Sequence, residues 1–316
     1  MLDLCERADV IIEPFRPGVM EKLGLGPEEC TRRNKGLVYA RLTGFGQSGK
    51  YAQMAGHDNN YLAIAGVLSS LGRAEEKPFF PQNLLADFAG GGLMCALGVA
   101  MALLERGRSG QGQVVDVAMV DGAAYLASMS FVSRNALYGM PRGTNMLDGG
   151  APFYEVYECA DAKYVAVGAI EPQFFKQLLH GLGVSTEDEL WHNQLNTAMW
   201  PQQKRQIAAL FKSKSQAEWT RVFEGQDACV TPVLTWEHLE SHPHTGTAGR
   251  GLVVDVNGEK QIRPAPVLMR TPATAGRQEP EVGEHTEEVL SQWLTPAQIE
   301  QLRNFGAIAG AKRSRL

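Results

Sequence analysis

Residues 84–120 read LLADFAGGGLMCALGVAMALLERGRSGQGQVVDVAMV. Apolar residues fill 84–106, which predicts a long buried helix, and the turn-forming GRSGQGQ ends it before VVDVA begins a strand. Toward the N-terminus, LVYARLTGFG at 37–46 predicts another strand, and VIIEPF at 10–15 a third. Strands that alternate with helices are typical of a layered α/β domain with a mostly parallel sheet. The sequence therefore predicts an α/β fold over residues 1–140.

The organisation of the chain changes at residues 141–152, PRGTNMLDGGAP, where turn-forming residues predict a boundary. The next segment, FYEVYECADAKYVAVGAI at 153–170, predicts a hairpin with its turn near Asp161. Residues 185–245 have a polar, helical pattern, 246–283 predict loops and short strands, and two helices follow. With 316 residues, the chain is long enough for two domains of about 100–200 residues each.

Composition excludes several classes of protein. The 30 basic and 35 acidic side chains give a net charge of −5, whereas a nucleic-acid-binding protein is usually basic. The five cysteines are widely spaced and form no CxxC pair, so neither a zinc site nor a disulfide framework is predicted. The uncharged run 88–104 is shorter than the about 20 residues of a spanning helix and contains three glycines, so we expect no membrane span.

A histidine and an aspartate lie side by side in the polar turn GHDNNY, residues 56–61. Asp58 or Asn59 in this position is suited to cap a helix that starts near Tyr61. A histidine next to a carboxylate is equally suited to acid–base chemistry near neutral pH. The residues alone leave both interpretations open for His57.

A second carboxylate, Asp87, stands in the apolar run NLLADFAGGG at the start of the long helix. Backbone N–H groups and the helix dipole stabilise a negative charge there, so a plain helix cap is one interpretation. Three glycines follow at 90–92, and glycine allows a ligand to approach the backbone closely. We interpret these glycines as favouring a functional role for Asp87.

Two weaker signals complete the candidate site. Glu171 ends an apolar strand directly before Pro172, which fits a strand-to-helix junction as well as a catalytic role. Arg16, Lys22 and Arg41 are basic residues near helix starts and glycine-rich turns, where phosphates bind, although most such side chains are merely solvated.

Taken together, six segments resemble one family of acyl-CoA enzymes. AGHDNNY, NLLADFAGGG, RGTNMLDGGAPFY, AVGAIEPQF, DACVTPVL and VGEHTEEVL stand in the order found in the α-methylacyl-CoA racemases, within the family III CoA-transferase superfamily. The resemblance implies a Rossmann-like CoA-binding domain at 1–112, a linker at 113–150, a small α+β domain at 151–245 and a return segment at 246–316. It also implies an interlocked homodimer.

The implied reaction is racemisation at carbon 2 of 2-methyl-branched acyl-CoA thioesters, such as pristanoyl-CoA and the CoA esters of bile-acid intermediates. By the resemblance, His57 removes the proton of the S substrate, Asp87 delivers one to the opposite face, and Glu171 orients the histidine. Asp87 must then hold a proton near neutral pH, which requires apolar surroundings. The enolate oxygen needs fixed donors, for which the backbone N–H groups at the start of the Asp87 helix are candidates.

The resemblance also implies the binding residues and the cofactor requirement. We expect substrate contacts from Gly56, Asp58, Asn59, Asn60, Tyr61, Asn83, Tyr154, Arg16 and Lys22. Met119, Met129, Met140 and Met146 fit either an adaptable surface for bulky acyl chains or ordinary core. No metal or redox cofactor is expected, because CoA is part of the substrate.

Two alternatives remain open. Related CoA-transferases use an aspartate at the position of Asp87 as a nucleophile, but the resemblance implies that they lack the pair His57 and Glu171. Family members also begin several dozen residues earlier, so Met1 is expected to start inside the fold without the first strand and helix. The second alternative is therefore an inactive form that only binds CoA esters.

The last three residues, Ser314, Arg315 and Leu316, resemble the SKL-type peroxisomal signal with arginine in place of lysine. They imply a peroxisomal import receptor as a partner. A mitochondrial pool is also known for the family.

Overall fold

A computed structural model of the protein describes residues 1–276 and 280–308. The chain divides into two compact units, Met1–Val233 and Leu234–Leu316. The finer division at residues 112, 150 and 245 stays a prediction.

The first part of the first unit is the predicted α/β layer. Its strands β1 (Val10–Glu13), β2 (Val38–Thr43) and β3 (Val114–Ala118) form a parallel sheet in the order β1-β2-β3. Its helices are α1 (Leu2–Cys5), α2 (Val19–Lys22), α3 (Pro27–Arg33), α4 (Asp58–Ile64), a π-helix (Leu84–Leu93), α5 (Met94–Ser109), α6 (Met119–Leu126) and α7 (Ser128–Val132). Short 3-10 turns lie at Val67–Ser70.

The long helix begins as the π-helix and continues without a break into α5, which is followed by Gly110 at its C-cap with a left-handed φ of 76°. Buried Cys95 packs against Ala40 and Val117 of the sheet. The other side leaves six large apolar side chains exposed: Leu84, Phe88, Leu93, Leu97, Met101 and Leu104. The predicted buried helix is therefore buried on one face only. By length and composition alone, its 26 residues could also cross a membrane.

The rest of the first unit is a separate antiparallel layer. The predicted hairpin is confirmed as β4 (Tyr154–Glu158) and β5 (Tyr164–Gly168), and β6 (Val230–Pro232) extends the sheet beside β5. Helices α8 (Pro172–Gly181), α9 (Trp200–Phe211) and α10 (Gln216–Phe223) belong to this layer, with a 3-10 turn at Glu189–Trp191. Its core is aromatic and fully buried, and it includes Phe153, Phe211 and Trp219. We call this cluster the aromatic core.

The second unit has little regular structure. A 3-10 turn at Trp236–His238 precedes a two-stranded hairpin of β7 (Val253–Val256) and β8 (Glu259–Ile262). The two predicted closing helices are present as α11 (Thr286–Ser291) and α12 (Pro296–Asn304). Thr295 caps α12 by accepting a hydrogen bond from the Gln298 N–H.

Candidate active site

His57 immediately precedes helix α4 and has an extended backbone with φ of −134°. Its N–H donates to the Asn60 side-chain oxygen at 3.0 Å, which closes the first turn of the helix. The Tyr61 hydroxyl donates to the Gly56 carbonyl and ties this turn back on itself. The imidazole of His57 is exposed, so it is free to meet a ligand. Asn59, two residues after His57, is exposed as well.

The ring of Tyr61 lies so close to two neighbouring backbone segments that only glycine fits at those positions. A Cβ atom on Gly44 would overlap the Tyr61 ring, and one on Gly56 would lie 2.8 Å from it. Phe45 meets the same ring edge-on, with centroids 4.9 Å apart. Burial raises the pKa of Tyr61, and the charge of Asp87 raises it further. Tyr61 thus lines the site as a neutral, fixed side chain.

Asp58 links the histidine segment to the aspartate segment. Its side chain is buried, with 3% of the residue exposed, and Oδ2 accepts hydrogen bonds from the N–H groups of Ala86 at 2.7 Å and Asp87 at 2.9 Å. The expectation that Asp58 caps its own helix is therefore wrong, since His57 stands at the N-cap, whereas the contact of Asp58 with substrate stays a prediction. It caps the π-helix, because two free N–H groups at a helix start attract a carboxylate.

Asp87 lies half-buried in the first turn of the π-helix. Burial raises the pKa of its carboxyl group, and the negative charge of Asp58 raises it further. A hydrogen bond from the Asn83 side chain and the positive charge of His57 act in the opposite direction without reversing the rise. Asp87 therefore holds a proton more readily than an ordinary aspartate, which is the direction that the role implied by the resemblance requires.

Two of the three glycines after Asp87, Gly90 and Gly91, serve packing rather than ligand approach, which corrects the interpretation of these two made from the sequence. A Cβ on Gly90 would lie 2.7 Å from the Ala123 nitrogen, and one on Gly122 would overlap the Gly90 carbonyl. A Cβ on Gly91 would lie 2.9 Å from the Met119 side chain. These glycines let α6 and the π-helix touch backbone to backbone, which fixes the helix that carries Asp87.

Two of the backbone donors expected to bind an enolate oxygen are already occupied. The N–H groups of Ala86 and Asp87 both donate to Asp58. These two N–H groups are therefore not available to an enolate oxygen, because a backbone N–H that serves a buried carboxylate has no proton left for a ligand. An oxyanion hole formed by other N–H groups at this helix start stays a prediction.

Glu171 lies in the antiparallel layer, exposed at the start of α8. Its charge adds to burial in raising the pKa of nearby Cys229. In residues 1–276 and 280–308, no hydrogen bond or ion pair joins Glu171 to His57 or Asp87. One chain therefore brings His57 and Asp87 together but does not add Glu171 by direct contact.

The other predicted binding residues are spread over the first unit. Tyr154 lines a cavity of about 520 Å³ on the open face of the antiparallel sheet, with Val156 and Cys229. Arg16 and Lys22 are exposed. Arg41 is buried and bound to Glu13 at 2.6 Å and Glu21 at 2.7 Å, so the expectation that it contributes to phosphate binding is wrong.

The four methionines that fit either an acyl surface or ordinary core lie in different surroundings. Met119 packs beside Tyr61, and Met146 packs on the aromatic core. Met129 and Met140 are exposed. The two exposed side chains remain candidates for acyl contact.

Sequence reasoning missed the packing role of Gly122 and the bridging role of Asp58. A signal existed for the glycine, because an interior helical glycine costs about 1 kcal/mol and usually has a packing reason. No local signal identifies the partner of Asp58. Among the described residues, no group of three or more His, Cys, Asp and Glu side chains could hold a metal. Ser314, Arg315 and Leu316 lie outside the described residues.

Three features characterise the class of protein to which this chain belongs. They are a parallel sheet with its long helix, a separate antiparallel layer and the His57–Asp87 pair. The model of CoA-transferase family III matches residues 1–286, and the chain belongs to this family. The predicted fold class, an α/β fold of the family III type, is thereby confirmed.

Comparison with individual relatives shows which members of the family this chain is similar to. The chain is 54% identical over 312 residues to the alpha-methylacyl-CoA racemase of Homo sapiens, covering 98% of this chain and 81% of the relative. It is 53% identical over 304 residues to the alpha-methylacyl-CoA racemase of Mus musculus, covering 95% and 79%. The crystal structure of Rv3272 from Mycobacterium tuberculosis matches with a TM-score of 0.75 at 29% identity, covering 93% of this chain and 77% of that one.

Proposed function

We propose that this protein is an α-methylacyl-CoA racemase, an isomerase that interconverts the 2R and 2S forms of 2-methylacyl-CoA thioesters. The observation that carries the proposal is the half-buried Asp87, whose pKa is raised by burial and by Asp58 and which lies close enough to His57 to feel its charge. The names of the two mammalian relatives support the same activity.

The reaction needs two groups that handle protons on opposite faces of carbon 2. In the S-to-R direction, the His57 imidazole takes the C2 proton, and the electron pair of that bond moves into the thioester to form an enolate. Protonated Asp87 then gives its proton to the other face of carbon 2, and the carbonyl reforms. After the reaction, His57 is an imidazolium and Asp87 is a carboxylate. The reverse reaction uses the two groups in these protonation states with exchanged roles. Alternatively, proton exchange with solvent restores the starting states.

Glu171 enters this mechanism as a partner of His57 supplied by a second chain. In an interlocked homodimer, the site lies between the α/β layer of one subunit and the antiparallel layer of the other. Among the described residues of one chain, Glu171 has no hydrogen bond or ion pair to His57 or Asp87, which supports this arrangement. Glu171 then orients the imidazole and stabilises its charged form.

Mixed dimers test this arrangement. Chains carrying His57→Ala and chains carrying Glu171→Ala are each expected to be inactive alone. Co-expressed and purified together, they are expected to regain about a quarter of the wild-type sites, because random pairing makes half of the dimers mixed and each of these has one intact site. No recovery from verified mixed dimers, or a monomeric mass at micromolar concentration, contradicts the shared site.

Substrate class and location are the finer parts of the proposal. The acyl groups are bulky and 2-methyl-branched, as in pristanoyl-CoA and bile-acid intermediates, and Tyr154, Asn83, Asn59, Asn60, Arg16 and Lys22 contribute contacts to them or to CoA. No metal or redox cofactor takes part. The C-terminal residues Ser314, Arg315 and Leu316 direct the protein to the peroxisome through its import receptor, and a mitochondrial pool is a further location.

A CoA-transferase activity is the second candidate, because the family includes such enzymes. The Mycobacterium tuberculosis protein named probable fatty acyl-CoA transferase Rv3272 is 31% identical over 256 residues. In that mechanism, the Asp87 carboxylate attacks the thioester carbonyl, the C–S bond breaks, and CoA leaves as its thiolate while the acyl group stays on Asp87 as a mixed anhydride. The raised pKa of Asp87 disfavours the carboxylate form, which supports the racemase instead.

Exchange of the C2 proton in D2O separates these functions. Purified protein is incubated with a (2S)-2-methylacyl-CoA, and the C2 proton is followed by NMR while chirality is measured in parallel. The racemase exchanges this proton and loses chirality without an acceptor acid. A transferase moves CoA to an added carboxylic acid and leaves C2 untouched, whereas folded protein that binds the ester and does neither is a binding form only.

A further inference from the structure

The buried carboxylate of Asp58 has no cationic partner in the part of the chain that the structure describes. Oδ2 serves the N–H groups of Ala86 and Asp87, and Oδ1 is buried without any hydrogen bond. An unpaired carboxylate in the interior is costly, since burial removes its hydration. Such a cost is typical of a site where the charge itself has a use.

The surroundings of Asp87 show which charges act on it. The charges of Asp58 and His57 reach its carboxyl group, Asn83 donates a hydrogen bond to it, and neutral Tyr61 lies nearby. Asp58 is thus the source of negative charge that acts on Asp87.

Charged groups on the other packed elements are engaged elsewhere. Asp121 on α6 acts on Asp116 of β3, and Arg41 of β2 is bound to Glu13 and Glu21. On α5, Arg106 forms an ion pair with Asp9, and the Glu105 carboxylate accepts a hydrogen bond from the Ser109 hydroxyl. The Cys95 thiol on the same helix is buried, which raises its pKa. Arg108 lies in the last turn of α5, far along the helix from Asp87.

We propose that Asp58 is the positioning residue for Asp87: its side chain fixes the backbone that carries Asp87 and places a carboxylate beside the Asp87 carboxyl group. The proposal rests on the proposed racemase function and deepens it. Because Asp58 follows His57 directly in the chain, the same side chain also fixes the distance between the two proton-handling segments. In this role, the Asp58 side chain acts on the reaction through Asp87.

Asp58→Asn tests the charge while keeping an oxygen that can accept both N–H groups. Without the negative charge, Asp87 loses its proton at lower pH. The acid limb of kcat/KM for C2 proton exchange is expected to move down by roughly 1 pH unit in both directions of the reaction. The rate at neutral pH is expected to fall about tenfold, since one pKa unit changes the protonated fraction of Asp87 by that factor.

Asp121→Asn is the matched control. It makes the same chemical change on α6, the helix packed against the π-helix, but its charge acts on Asp116 instead. This variant is expected to keep the wild-type acid limb. An acid limb that stays in place in folded Asp58→Asn, or that moves equally in Asp121→Asn, overturns the proposal.

A second measurement covers variants that are inactive or fail to fold. In wild-type protein labelled with ¹³C at the aspartate carboxyl groups, the Asp87 resonance is assigned by its loss in Asp87→Asn. It is expected to titrate above the ordinary range of an aspartate, and below the wild-type value in Asp58→Asn where that variant folds. Titration in the ordinary range in wild type overturns the role of Asp58 whether or not the protein catalyses exchange. If the wild-type protein does not exchange the C2 proton, that result contradicts the racemase function and not the role of Asp58.

Discussion

Two regions of the first unit maintain their structure by opposite means. The aromatic core at 151–228 is built from large rings, with centroids of Phe211 and Trp219 5.1 Å apart and those of Phe153 and Trp200 5.8 Å apart. The region around His57 and Asp87 has four buried apolar residues in its cluster. It depends on backbone contacts at glycine and on one buried carboxylate.

The difference separates stability from chemistry. Large buried rings contribute most of the apolar area and tolerate small shifts, because burial is not directional. Glycine contacts and hydrogen bonds contribute less area but fix atoms to within a few tenths of an ångström. Substitutions in the two regions are therefore expected to produce different kinds of defect.

The largest effect is expected from the proton-handling residues themselves. His57→Ala and Asp87→Asn each remove one of the two groups, so C2 exchange with racemisation is expected to fall by about 10²–10⁴-fold. The urea midpoint is expected to change little, because the His57 side chain is exposed and Asp87 is half-buried. Near-normal racemisation by either variant contradicts the two-base mechanism.

In the aromatic core, the expected effect is on stability. Phe211→Ala removes a fully buried ring that contacts Tyr157, Trp219 and Phe223, so the free energy of unfolding is expected to fall by about 3–5 kcal/mol. Urea denaturation measures this loss. Phe131→Ala is the control, since Phe131 is 66% exposed. Equal losses in the two variants are inconsistent with the aromatic core as the main source of stability.

Stability and exchange activity are expected to fall together when the glycine contact is disrupted. In Gly122→Ala, the new methyl group overlaps the Gly90 carbonyl, so α6 must move away at a cost of about 1–3 kcal/mol. The same movement shifts Asp87, so exchange activity falls as well. Gly92→Ala is the control, since its Cβ meets only the Asp87 carbonyl at 3.8 Å. If both variants retain full activity, the contact does not position Asp87.

The smallest effect concerns acid stability near the antiparallel layer. Burial raises the pKa of Glu155, but hydrogen bonds from Arg73 and Lys204 lower it to below its ordinary value of 4.5. Its folded-state pKa is thus depressed, so its contribution to stability is present above the ordinary value and is lost as pH falls through the folded value.

Glu155→Gln is therefore expected to flatten the fall in stability below about pH 5 by on the order of 1 kcal/mol. Urea midpoints measured from pH 6 to pH 3 check this. An equally steep fall in the variant shows that other carboxylates cause it.

Periodicity and turn residues predicted the strands β1, β2 and β3, the hairpin of β4 and β5 and the long helix, because these depend on local pattern. Burial of that helix on all sides was wrong: an apolar pattern shows which residues avoid water but not whether one chain covers them. Its exposed row runs from Leu84 to Leu104.

The candidate site was predictable in its residues but not in its contacts. His57 and Asp87 could be singled out by type and context, and the structure brings them together. The helix-cap role of Asp58 and the phosphate-binding role of Arg41 were wrong, because each side chain depends on a partner distant in sequence: the N–H groups of Ala86 and Asp87 for the first, and Glu13 with Glu21 for the second. Short-range patterns contain no information about such partners.

The π-helix at Leu84–Leu93 limits how this protein can change in evolution. Each residue advances the chain around a helix axis by roughly a quarter of a turn, so deleting one residue between Asp87 and Met94 would rotate α5 by that amount relative to Asp87. Cys95 would then leave the sheet it packs against, and an exposed apolar side chain would take its place. We therefore expect this stretch to accept substitutions at its exposed positions while keeping a constant length among related proteins.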